Sequence, residues 1–140
     1  MTRNERPSLD PIEKEIEIQA GEATLAGTLG VPEDAAALVI FAHGSDSSRH
    51  SPRNRHVAEM LREGGLGTLL MDLLTSEEEE VDVRTREYRF DIPLLAERTS
   101  DAVQWALDNS QTEDLNIGLF GSSTGAAAAM IAGAEHPDAV

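Results

Sequence analysis

Three short, mainly apolar segments limit what this chain can become. Ala36 to Ala42, Leu66 to Met71 and Leu115 to Phe120 are each of strand length and nearly free of polar residues. That is the make-up of strands covered on both faces, not of strands with a wet side. Helical signals lie between them. Ser51-Pro52 combines a capping side chain with proline at the first helical position, and Val57, Met60 and Leu61 follow at helical spacing until Gly64-Gly65. Ile92, Leu95, Ala102, Val103 and Ala106 form one apolar stripe on a helix over 92–109. Strands alternating with helices predict a mostly parallel sheet between helical layers, a three-layer α/β domain.

Two more strands precede this core. Ile12, Ile16 and Ile18 face one way while Glu13, Glu15 and Glu17 face the other, which predicts a half-exposed strand over 12–19. Leu25, Gly27, Leu29 and Val31 repeat the alternation over 23–31, with Gly21 marking the turn. The sheet therefore opens on an antiparallel hairpin. Residues 1–11, with Pro7 and Pro11, read as a flexible lead-in, leaving 12–140 as a single, partial domain. Asp72 to Glu87, containing Glu77, Glu78, Glu79 and Glu80, reads as an acidic loop with its charges in water.

The chain has 140 residues, short beside the roughly 200 or more that most α/β enzymes take. Its 26 acidic and 11 basic residues leave a net charge of -15, which opposes binding to nucleic acid or anionic lipid. Lys14 is the only lysine. Acidic excess with so little lysine suits a high-salt cytoplasm, where screening makes self-repulsion tolerable, so a halophilic protein is expected. With no cysteine, disulfides, thiolate catalysis and cysteine zinc sites are excluded. No apolar run approaches the roughly 20 residues of a membrane span, and the polar start Met-Thr-Arg-Asn-Glu-Arg-Pro lacks a secretory signal, so a cytoplasmic location is expected.

The chemistry sits at Gly121-Ser122-Ser123-Thr124-Gly125, a G-x-S-x-G pattern with a buried strand leading in and an alanine-rich helix leading out. Such a turn forces its central residue into a strained backbone geometry and presents the Ser123 hydroxyl at the strand's carboxyl end. Ser123 is the candidate nucleophile. The following helix points its positive end at any oxyanion formed there. The backbone N–H of Thr124 is one candidate oxyanion donor, and that of Ser45, in the His43-Gly44-Ser45 loop after the first buried strand, is the other. The imidazole of His43 is read as a loop histidine bonded to backbone, and His50 and His56 as surface residues.

These motifs give the chain a family likeness. From about Ile12 to Val140 it resembles the dienelactone-hydrolase-like branch of the α/β-hydrolase superfamily. The likeness rests on Gly118 to Gly125, then on Phe41 to Ser45 with Ser47 to Asn54, and is supported by Asp72-Leu73-Leu74-Thr75 and Arg89-Phe90-Asp91-Ile92. It implies serine-dependent hydrolysis of ester or acyl bonds in a small molecule, and no cluster of residues in the sequence implies a metal or organic cofactor. Dienelactone hydrolases proper use a cysteine nucleophile, so Ser123 departs from the namesake.

In this superfamily the acid and histidine follow the serine. Only 17 residues follow Ser123, and His136 and Asp138 among them come in the wrong order. The expectation is an incomplete α/β-hydrolase fold, weakly active or inactive alone, with the strand 115–120 left as an open sheet edge. Three readings follow: part of a hydrolase, an enzyme completed by another chain at that edge, or a noncatalytic interaction module that pairs or self-associates there.

Overall fold

The computed structural model describes residues 13–43 and 49–140. The expected lead-in at 1–11 therefore lies outside the described residues. Five strands and four helices follow in the order β1 (Glu13–Ala20), β2 (Ala23–Gly30), β3 (Ala37–Ala42), α1 (Pro52–Glu63), β4 (Gly67–Met71), α2 (Ser76–Thr85), α3 (Ile92–Asp108), β5 (Asn116–Gly121) and α4 (Thr124–Glu135).

The strands form one mixed sheet in the order β1-β2-β4-β3-β5. β1 and β2 are the expected antiparallel hairpin, and β2 runs antiparallel to β4. β3 pairs in parallel with both β4 and β5, so the three apolar runs make the parallel part of the sheet. Pleating sends alternate side chains to opposite layers. Phe41 and Leu70 meet Ala58, Val57 and Leu61 of α1 on one face. Leu38, Ile40, Ala42, Leu69 and Met71 meet Leu95, Ala102, Val103 and Ala128 of α3 and α4 on the other. This is the three-layer α/β arrangement expected, with its core between the sheet and the α3–α4 pair.

Two expectations need correction. The acidic segment after Asp72 is not a loop: α2 starts at Ser76 behind a capping box, in which Thr75 Oγ1 accepts from the Glu78 N–H at 3.1 Å and Glu78 Oε1 accepts from the Thr75 N–H at 2.9 Å. Carboxylates in a first turn also suit the positive end of the helix dipole. Glu77, Glu79 and Glu80 are exposed as expected, but Glu78 is half-buried and paired with Arg98.

The second concerns α1. Its buried stripe is Asn54, Ala58 and Arg62, while Met60, expected inside, is 57% exposed. Arg62 lies over Gly30 of β2, donates from Nη1 to Thr68 Oγ1 at 2.8 Å and reaches Glu13 of β1 at 3.2 Å. Arg49 holds Glu15 in the same way. The glutamate row of β1 thus meets cations at Glu13 and Glu15, where the alternation alone predicted only solvent.

Candidate functional site

β3, β4 and β5 run parallel, so their carboxyl ends open at one edge of the sheet, the place where open α/β sheets hold ligands. The register sets Phe41 beside Phe120 and Ala42 beside Gly121. The two rings pack with centroids 5.0 Å apart beneath that edge. The β5–α4 turn is therefore carried directly alongside the end of β3, where His43 begins the next loop.

Ser123 sits between strand and helix at φ 57°, ψ -130°, a conformation that a side chain disfavours. It occupies the N-cap of α4 yet makes no capping bond. The contrast with the other helices is direct: Ser51, Thr75 and Asp91 each accept from an N–H of their own first turn. The exposed Ser123 hydroxyl has no hydrogen-bond partner among the described residues, so it remains available to a ligand.

The flanking glycines are steric requirements. A Cβ on Gly121 would lie 2.5 Å from the Gly125 carbonyl oxygen, and one on Gly125 would lie 2.1 Å from the carbonyl oxygen of Ala42 and 2.5 Å from that of His43. The first turn of α4 is thus pressed against the end of β3, and only hydrogen fits between them.

The amides of this turn are unequally used. Gly125 N–H donates to the Ser122 carbonyl at 2.9 Å and Ala126 N–H to the Ser123 carbonyl at 3.0 Å. Among the described residues the Thr124 N–H has no acceptor, and Thr124 Oγ1 is buried without a partner. Unsatisfied polar groups are rare in folded chains and concentrate at functional sites. Ser45, the other expected oxyanion donor, and Gly44 lie outside the described residues.

His43 is buried, and its Nε2 accepts from the Leu73 N–H at 2.9 Å. Its imidazole therefore engages backbone, as expected of a loop histidine. His50 and His56 are exposed. His136 ends α4 and contacts Ser100 of α3. With 12 residues between them, Ser123 and His136 stand about 20 Å apart along the helix, too far for proton transfer. Asp138 lies beyond it. Among the described residues the structure brings no acid–histidine pair to Ser123, and no group of three His, Asp or Glu side chains is placed to hold a metal.

Sequence reasoning missed the polar groups that support this edge. Arg49 is bound by Asp72 and Glu15, and Arg98 by Glu78 and the Leu73 carbonyl. Burial alone would raise the Glu15 pKa, but hydrogen bonds from Thr28 and Arg49 outweigh it and lower the value. For Glu78 the Arg98 hydrogen bond is the largest influence and likewise lowers it. The arginines lie 20 to 34 residues from these partners in sequence, so no local pattern announces the pairs.

Comparison with solved structures decides the fold family. A dienelactone hydrolase from Anabaena variabilis superposes with a TM-score of 0.89 at 54% identity, covering 91% of this chain and 59% of that one. The chain is part of a dienelactone-hydrolase-like α/β-hydrolase fold. An esterase from Pyrococcus furiosus has a similar fold at 24% identity, with a TM-score of 0.68 over 91% of this chain and 49% of its own. No protein-family model matches the chain. Curated relatives from two strains of Mycobacterium tuberculosis, provisionally named phosphoribosyl transferases, are 50% identical over 123 residues. That match spans 88% of this α/β-hydrolase segment but 27% of those relatives. No helix is long and apolar enough to cross a membrane among the described residues.

Proposed function

We propose that this chain supplies the nucleophile and oxyanion part of a serine hydrolase acting on ester or acyl bonds of a small molecule. The observation that carries the reading is Ser123, held at positive φ in a helix N-cap position that it does not cap. Its Oγ attacks the substrate's carbonyl carbon, and the carbonyl oxygen takes the negative charge. The N–H groups of Thr124 and Ser45 donate to that oxygen. Collapse expels the alcohol or phenolate and leaves an acyl group on Ser123, which water then hydrolyses.

The serine proton needs a base, and a serine without one is a poor nucleophile at neutral pH. Alone, the chain is then a weak catalyst that relies on its oxyanion donors. The acid and histidine come from further polypeptide placed against β5, whose strand partner among the described residues is β3 and whose Ile117 N–H donates to the Ala139 carbonyl at 3.2 Å. That edge also favours a second reading, a noncatalytic module that binds a complementing chain or a second copy there. Leu119 is half-buried and Phe120 40% exposed on β5, and Met130 is 76% exposed on α4. These apolar groups suit a protein partner.

Hydrolysis of p-nitrophenyl acetate by the purified chain separates the two. Phenolate leaves without needing a proton, so a slow, Ser123-dependent rate is expected, falling about tenfold or more in Ser123→Ala. A rate untouched by that substitution would remove the nucleophile and leave the binding module. The transferase name belongs to the mycobacterial relatives, of whose length this chain matches 27%. A net charge of -15 disfavours a polyanionic pyrophosphoryl sugar as ligand.

A salt-rich cytoplasm completes the proposal. Its support is the acidic excess, displayed in part on α2 by exposed Glu77, Glu79 and Glu80. Screening shortens the reach of such charges from about 30 Å at 0.01 M salt to about 3 Å at 1 M. The melting temperature is therefore expected to climb from dilute buffer to molar KCl, and a flat profile would dismiss the halophilic reading.

A further inference from the structure

We propose that Ser100 and His136 form a second nucleophile–base pair, remote from Ser123, that takes an acyl group from an activated ester carrying a cation. The pair joins α3 to the end of α4, and it does not depend on the hydrolase reading above.

The Ser100 hydroxyl is turned away from its own helix. A serine or threonine inside a helix commonly bonds the carbonyl four residues back, and the neighbouring Thr99 does so, donating to the Leu95 carbonyl at 2.8 Å. Ser100 Oγ instead meets Nε2 of His136. With the ring proton on Nδ1, Nε2 accepts from the hydroxyl, which is the arrangement of a base ready to take a serine proton. The imidazole is carried on a fixed turn. The His136 N–H donates to the Gly133 carbonyl at 3.2 Å, and the His136 carbonyl accepts from the N–H groups of Ala139 and Val140 at 3.1 and 3.0 Å. Both residues are half-buried, so water competes for their bond less than it would at an open surface.

Ser100 also lines a cleft of about 790 Å³ between α3 and α4, a volume suited to a small molecule. Leu94 and Ile131 give this cleft apolar surface, while Glu97, Asp101 and Glu135 give it carboxylates. Burial, and after it the charge of Glu97, push the Asp101 carboxyl up against a weaker pull from Arg98. That guanidinium is already engaged by Glu78. A cationic group in the cleft would relieve the crowded negative charge, so the acyl donor selected is one with a positive charge on its acyl part.

In the reaction Ser100 Oγ bonds to the acyl carbon, its proton passes to His136 Nε2, and a phenolate leaves with the electron pair of the ester C–O bond. The amides around Ser100 belong to the interior of α3 and are spent on helical hydrogen bonds. The tetrahedral oxygen therefore gains no donor like the Thr124 N–H, and the reaction is expected to stop at acyl-Ser100. It shows as a burst and leaves steady turnover to Ser123.

The test uses the full chain carrying Ser123→Ala, treated with p-nitrophenyl p-guanidinobenzoate, a cationic ester, or with neutral p-nitrophenyl benzoate. The cationic ester is expected to release about one equivalent of p-nitrophenolate per chain and to leave its acyl group on Ser100, located by peptide mass spectrometry. In dilute buffer its burst should be at least about tenfold faster than that of the neutral ester, and molar KCl should narrow the difference. His136→Gln is expected to slow the burst about 100-fold. Should that variant fail to fold, Ser100→Ala, which removes only the hydroxyl, is expected to abolish burst and label together. No acyl group on Ser100, or a burst unchanged in His136→Gln or Ser100→Ala, would overturn the pair. Equal burst rates for the two esters would overturn the cationic class. Either failure is distinct from failure of the Ser123 reading, which is read from steady turnover of p-nitrophenyl acetate.

Discussion

Gly125→Ala is expected to unfold the chain under conditions where Gly118→Ala does not. The added Cβ would sit 2.1 Å from the Ala42 carbonyl oxygen, 2.5 Å from that of His43 and 2.7 Å from the Ala42 carbonyl carbon. All three are backbone atoms at the end of β3, the strand between β4 and β5, so no side chain can rotate away to make room. Relief demands that α4 lift from the sheet or that β3 shift, and either breaks the packing of Ala128 and Ala129 against the core. Overpacking a core by one methyl typically costs about 1–3 kcal/mol even where side chains can adjust. Here a cost above about 4 kcal/mol is expected, against a total stability of about 5–15 kcal/mol for a domain. A Cβ on Gly118 meets nothing within 4 Å, so its replacement should move the urea midpoint by less than about 0.5 kcal/mol equivalent. Urea curves within about 1 kcal/mol of each other for the two variants would mean that α4 does not approach β3 as closely as described.

The same contact explains how much of the site could be read in advance. Gly121 is required by the first turn of α4 and Gly125 by the end of β3, so their spacing is visible in any sequence that packs this turn on its sheet. The apolar runs at β3, β4 and β5 are visible for a similar reason, since covered strands need no polar side. α2 escaped because Glu77 to Glu80 obscure any helical stripe, and only the Thr75-x-x-Glu78 capping box signals the helix. Apolar spacing on α1 cannot show that Met60 faces solvent while Arg62 finds Glu13 across the sheet. The pairing of Asp72 with Arg49 and of Leu73 with His43 could not be read locally, for these partners lie 23 and 30 residues apart. Local sterics were legible; long-range polar pairing was not.

That unread pairing at Arg62 carries the second large effect. Arg62→Ala is expected to destabilise the chain by about 3–5 kcal/mol, as removal of one member of a buried ion pair does. The Arg62 side chain is 7% exposed and Glu13 14%, so water can replace the guanidinium only poorly. Truncation leaves the fully buried Thr68 hydroxyl without the 2.8 Å bond from Nη1 and leaves Glu13 with Arg55, a more distant partner at 3.9 Å. It also strips the stem that covers Gly30. Two controls separate the buried charge from the overall charge balance. The double variant Arg62→Met with Glu13→Met should be less destabilised than Arg62→Ala, because it leaves no unpaired carboxylate at the sheet surface. Molar KCl should shrink the penalty only slightly, since salt screens exposed charges more than buried ones. If instead KCl erased most of the loss in Arg62→Ala, the arginine would be acting only as one positive charge against a net of -15, and its placement across the sheet would not matter.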